Sequence, residues 1–144
     1  MNRSEVKTII KAGVTGLAVA AGVVTSLPAI GAPDNFECRI VSAVKLSDSG
    51  TLNTDETDWL VGKVFHVDRR TGVLISRHFN PWGDAQVLWP GNEHSALHVL
   101  WIERGGMGSV FVSELIIQVF QKSEAKPFLF VDGTWKRVLS GTCR

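Results

Sequence analysis

The chain has 144 residues, 44% of them apolar and 20% charged, with 15 Lys plus Arg against 14 Asp plus Glu. This composition excludes a disordered chain and suits one domain, or one domain with a targeting segment. A net charge of +1 gives no general pull toward nucleic acid or anionic membrane, and two cysteines are too few for a disulfide-dense miniprotein or a four-cysteine zinc site.

Residues 1–11 carry Arg3, Lys7 and Lys11 against Glu5, and no charge follows from Ala12 to Pro33. The core of that stretch, GVTGLAVAAGVVTSL, is apolar and built largely of small residues. Pro28 breaks it, and Ala29-Ile30-Gly31 offers small residues at a cleavage site. A basic start, an apolar middle and a small-residue exit predict a signal peptide over 1–31 and a single β-rich domain over 32–144. Cleavage is expected after Gly31, with Ala29 as the second choice. An uncleaved anchor is the alternative, since the uncharged run is long enough to span a bilayer. Its weak hydrophobicity and Pro28 favour removal. Cys38 follows Asn35-Phe36-Glu37 and is not preceded by a small-residue lipobox. Taking 31 residues from 144 leaves 113, with 12 basic and 13 acidic residues. The expected location is periplasmic or secreted, with no membrane contact after cleavage.

Cys38 and Cys143 are the only cysteines. Export would carry both to a compartment where disulfides persist, and one intramolecular bridge is possible. It would join the two ends of the domain, which requires Cα atoms within about 7 Å and so places the first and last strands together. Such a bridge is a staple and carries no chemistry.

Strand signals then follow one another. Phe36–Leu46 is rich in β-branched residues, and 47–58 is a polar loop. Trp59–Val67 reads as a strand, Asp68–Gly72 as a tight turn with Gly72 in a left-handed position, and Val73–Phe79 as the returning strand. Asn80–Asp84 breaks the chain, Ala85–Trp89 resumes it, and Pro90-Gly91-Asn92 is a turn. Ser95–Glu103 is a short apolar run, and Gly105–Gly108 a flexible hairpin loop. Ser109–Gln121 is the longest strand candidate, although Glu114–Gln121 alone could be helical. Phe128–Val131 and Thr134–Leu139 flank Asp132-Gly133, which suits a type I′ turn. About eight strands and no helix in the domain predict an all-β fold: a single antiparallel β-barrel or clam-like sandwich with its terminal strands clasped. The small up-and-down barrels of the calycin kind are similar at the level of architecture, a likeness that implies no function.

Signals for chemistry are weak. His94 and His98 are four apart but fall in a strand pattern, where that spacing is about 13 Å. His66 and His78 flank the 68–72 turn without an evident third ligand, so no metal is expected. The 47–58 loop holds Asp48, Asn53, Asp55, Glu56 and Asp58, yet no glycine stands where an EF-hand loop needs one. Arg104–Gly108 lacks the Lys-Ser/Thr ending of a phosphate loop, and there is no Gly-x-Ser-x-Gly elbow. No catalytic residue and no cofactor are predicted.

Five Trp and seven Phe with no Tyr are the unusual feature. Trp59, Trp101 and Trp135 fall within predicted strands and are expected in the core. Trp82 and Trp89 fall beside breaks, where an indole either caps a barrel mouth or meets a partner. The sequence therefore predicts a non-enzymatic binding domain for a protein partner or small apolar ligand. The expected site is one end of the domain, near Trp82, Trp89, Arg104 and Met107. An exported hydrolase is the first rival, favoured by a pocket holding two or more of His66, His78, His94, His98 and Asp68. A structural envelope protein with long unprotected sheet edges is the second.

Overall fold

Period-two alternation of buried and exposed side chains carries most of the described residues into strands. The computed structural model describes residues 34–54 and 57–144. The expected signal segment lies outside the described residues, as do Asp55 and Glu56 of the acidic loop. The strands are β1 (Asn35–Leu46), β2 (Leu52–Asn53), β3 (Val64–Asp68), β4 (Leu74–Ile75), β5 (Asp84–Asn92), β6 (Ser95–Arg104), β7 (Val110–Ile117), β8 (Lys126–Asp132) and β9 (Arg137–Cys143). They form one antiparallel sheet in the order β4-β3-β1-β9-β8-β7-β6-β5, with β2 on β1. No α-helix occurs among the described residues.

The sheet curls into a half-barrel around an apolar face. Leu97, Val99 and Trp101 from β6, Leu115 and Ile117 from β7, and Phe128 and Phe130 from β8 are buried there. Phe65 meets Phe79 and Phe128 edge-on at 5.4 and 5.2 Å, and Trp101 meets Phe130 at 6.0 Å. These are the offset geometries that ring quadrupoles favour. On β1 the alternation changes phase, from buried Ile40 to buried Ala43, because a bulge falls between Ile40 and Ser42 opposite β9. β4 and β5 end the strand order without pairing. A side chain spans the gap: the Arg69 Nε donates to the Pro90 carbonyl at 2.6 Å, and its terminal N–H reaches the Gly91 carbonyl. A Cβ built on Gly72 would stand 2.6 Å from Val99 Cγ1, so the β3–β4 turn lies directly on β6.

Cys38 and Cys143 face each other across β1 and β9 and are bridged, with Cα atoms 3.9 Å apart. The clasp of first and last strands is as the sequence predicts. Asp68 also behaves as expected: its Oδ1 accepts the Arg70 and Thr71 amides at 2.9 and 2.7 Å, and Gly72 has φ 71°. Those Thr71 bonds, then its hydroxyl, hold the Asp68 carboxyl below the usual aspartate range.

Several strand bounds differ from the sequence reading. Residues 59–67 do not form one strand, because Asp58–Leu60 makes a 3-10 turn and Gly62 adopts φ 81° before β3 begins. Only Leu74–Ile75 pairs in the predicted 73–79 strand. Pro90 does not end β5. It pairs with Leu97 on an edge strand, where its missing N–H breaks no second ladder. β7 stops at Ile117, and residues 114–117 are strand. Asp132-Gly133 is not a two-residue type I′ turn. Asp132 pairs with Arg137, leaving a four-residue loop whose positive φ falls on Lys136. The Asp132 Oδ1 accepts the Thr134 and Trp135 amides and so bends the chain itself. Gly133 is needed for approach: a Cβ there would stand 2.2 Å from the Val112 carbonyl oxygen.

Candidate functional site

Antiparallel connectivity puts alternate loops at opposite ends of the half-barrel. One end gathers the described residues of the β2–β3 region (47–54 and 57–63) with segments 76–83, 105–109 and 133–136. Three of these four carry a tryptophan: Trp59, Trp82 and Trp135. Each is 52% exposed, and together they line a cleft of about 390 Å³ with Lys45, Thr57, His78, Phe79, Asn80 and Arg137. The expectation of core positions for Trp59 and Trp135 is corrected here; only Trp101, at 3% exposure, is core. Both misplaced residues lie in turns that the hydrophobic pattern reads as strand ends. The 3-10 turn and the Asp132-capped loop lift them out of the sheet.

The cleft has a rigid floor. Phe79 is buried and packs on Phe65 and Phe130, and the Arg137 guanidinium lies 5.5 Å over its ring. Arg137 is held by the buried Asp132 at 2.8 Å. Since Asp132 also caps the loop carrying Trp135, one carboxylate fixes both a floor cation and a wall indole. Trp82 and Trp135 meet edge-to-face at 6.5 Å and 86°, forming a corner. Trp59 meets the His78 ring at 6.5 Å. Trp82 is placed by Gly83, whose φ is 92° and whose Cβ would collide with the Ile102 carbonyl at 2.3 Å. That contact presses the 76–83 segment onto β6. The Thr57 hydroxyl is committed to the Ala43 carbonyl at 2.9 Å.

The four residues predicted from sequence are divided. Trp82 lies in the cleft. Arg104 lines an adjacent recess with Gly83, Asp84, Gln86, Ile102 and Glu103, of about 460 Å³. Met107 sits fully exposed at the tip of the neighbouring loop, at φ 59°. Trp89 does not join them: it lies toward the other end of β5, where its indole N–H donates to Ser95 Oγ at 2.7 Å. Sequence reasoning missed Trp59, Trp135, His78 and Asn80 as cleft residues. The available signal was that all but Trp135 lie in or beside the chain breaks at 47–58 and 80–84.

The histidines are spread out. His94 is at the β5–β6 turn beside Glu93, and His98 lies 3.3 Å from Glu114 on the sheet. His66 and His78 line one recess of about 440 Å³ with Ser76 and Arg77. Ser76 Oγ there accepts the His78 and Phe79 amides at 3.1 and 3.4 Å, which makes it a turn cap. No group of three or more His, Cys, Asp or Glu placed to hold a metal occurs among the described residues. No helix among them is long and apolar enough to cross a membrane. Comparisons with protein-family models, curated proteins and solved structures give no match.

Proposed function

We propose that the protein is an exported, non-enzymatic binding domain that takes its ligand in the Trp59–Trp82–Trp135 cleft. The observation that carries this reading is convergence: three loops, distant in sequence, each hold a half-exposed indole at one recess. Exposed indoles are costly to leave in water, and clustered aromatics around a few polar groups typify ligand pockets and interface anchors. The volume of about 390 Å³ falls within the range of small-ligand sites. Export is supported by the signal-like residues 1–31 and by the Cys38–Cys143 bridge, which fits a periplasmic or secreted location. The barrel reading is supported by the Arg69 contacts, which draw the two ends of the strand order together.

The hydrolase rival gains the His66–His78 recess, but no carboxylate lines it among the described residues. Glu37, opposite His66 on β1, is engaged by Arg144 at 2.9 Å, and Ser76 is occupied as a cap. The envelope-assembly rival needs an open edge. β5 is instead interrupted by a bulge and Pro90 and covered in part by Arg69.

Native mass spectrometry of the full chain, expressed with export and purified gently, tests the reading. The expected species is a 113-residue chain, short by two hydrogens, that retains a small added mass. That mass should be absent from Trp82→Ala and Trp135→Ala, whose melting temperatures should stay within about 4 °C of the parent. A bare, bridged chain would shift the reading to a protein partner at the same end. Melting that collapses in both variants would overturn the assignment of these residues as cleft walls.

A further inference from the structure

We infer that the ligand of this cleft is a saccharide, bound as one or two sugar rings against the Trp82–Trp135 corner. The inference rests on the cleft reading above and adds the chemical class. A sugar ring presents an apolar C–H face and a rim of hydroxyls, so its site must offer an aromatic face and nearby donors and acceptors together. The cleft does both. Trp82 and Trp135 stand perpendicular at 6.5 Å, giving a compact ring two indole walls at a right angle to pack against. Neither indole N–H is hydrogen-bonded among the described residues, and the exposed Asn80 carboxamide is likewise uncommitted. Asn80 supplies both a donor pair and an acceptor, which a hydroxyl can match in either sense.

Other ligand classes fit less well. A purely aliphatic ligand would strip water from the Asn80 carboxamide and the Trp82 and Trp135 indole N–H groups and return no hydrogen bonds, which is unfavourable. A quaternary ammonium would gain from the indoles but has no N–H or O–H to offer the Asn80 carboxamide and no acceptor for the indole N–H groups. An extended proline-rich peptide advances about 3.1 Å per residue and needs a groove between ridges, whereas perpendicular rings close a corner. The volume of about 390 Å³ suits a short saccharide.

The test follows the indole N–H signals by two-dimensional NMR on the exported, bridged protein. Cellotriose, N-acetylchitotriose and trigalacturonate serve as saccharide probes. Anilinonaphthalene sulfonate, choline and a proline-rich decapeptide serve as the others. Saturable shifts of Trp82 and Trp135 are expected with at least one saccharide, while Trp101 and Trp89 stay still. Trp135→Ala should weaken that affinity at least about tenfold, and Trp135→Phe should recover part of it. Shifts with anilinonaphthalene sulfonate or choline alone would overturn the saccharide class and leave the cleft reading standing. Shifts with the decapeptide alone would overturn it in favour of a protein partner. If no probe moves these indoles, the saccharide class fails, and with it the small-ligand form of the cleft reading.

Discussion

Replacing Asp132 by Ala should loosen the domain and its cleft together. Asp132 is 2% exposed and pairs with Arg137, 11% exposed, at 2.8 Å. It also accepts the Thr134 and Trp135 amides at 3.1 and 3.2 Å. Removing one member of a buried pair costs about 3–5 kcal/mol, mostly from stranding the remaining charge. Arg137 borders the cleft, so water can reach the stranded guanidinium, and the two turn amides can also hydrate. Both facts place the loss near the lower limit, about 3 kcal/mol. For a domain of this size that is a fall in melting temperature of about 12 °C, measurable by calorimetry or near-UV dichroism. The double variant Asp132→Leu with Arg137→Met should recover much of the loss, because no charge is left buried. Trp135 should gain mobility in Asp132→Ala, seen as a broadened indole signal. A loss under about 1 kcal/mol, or a double variant no better than the single, would refute the claim that this pair anchors the site.

Three further outcomes are expected. Replacing both cysteines by Ala should lower stability by up to about 4.7 kcal/mol, the chain-entropy limit for a loop of this length, as read from urea denaturation; an unchanged midpoint would mean the bridge is idle. Because the folded Asp68 carboxyl titrates below its ordinary value of 3.8, the unfolded chain binds more protons near that pH. The turn's contribution is therefore full above that value and lost as pH falls through the folded pKa. Asp68→Asn should flatten the acid limb of the stability profile, and an identical limb would count against the turn. Trp101→Ala should cost about 3–5 kcal/mol, whereas Trp135→Ala should cost under about 1, since only the first indole is buried; equal losses would contradict the division between core and cleft.

By itself the sequence determined the class of the fold. Short β-branched and aromatic runs, punctuated by turn residues, favour strands throughout, and that pattern is local; only Glu114–Gln121 could also be read as helix, and pairing with β6 and β8 makes 114–117 strand. It determined the Asp68–Gly72 turn because Asp side chains cap amides two and three residues on, which also needs only local chain. The clasp of Cys38 to Cys143 was legible because only two cysteines exist. Strand limits were less legible. Trp59–Val67 reads as strand by hydrophobicity, but Gly62 and the 3-10 turn end it, and only tertiary contacts choose between them. The Asp132-Gly133 pair suited a two-residue turn until the buried Arg137 engaged Asp132, a partner recruited by β-pairing. The cleft belongs wholly to tertiary structure. Residues 59, 82 and 135 have no local relation, and Trp89, so near Trp82 in sequence, is carried along β5 toward the other end. Strands convert short separations in sequence into long ones in space, and antiparallel order brings distant loops to a common rim. Residue type could nominate the indoles, but only the curl of the sheet decided which of them meet.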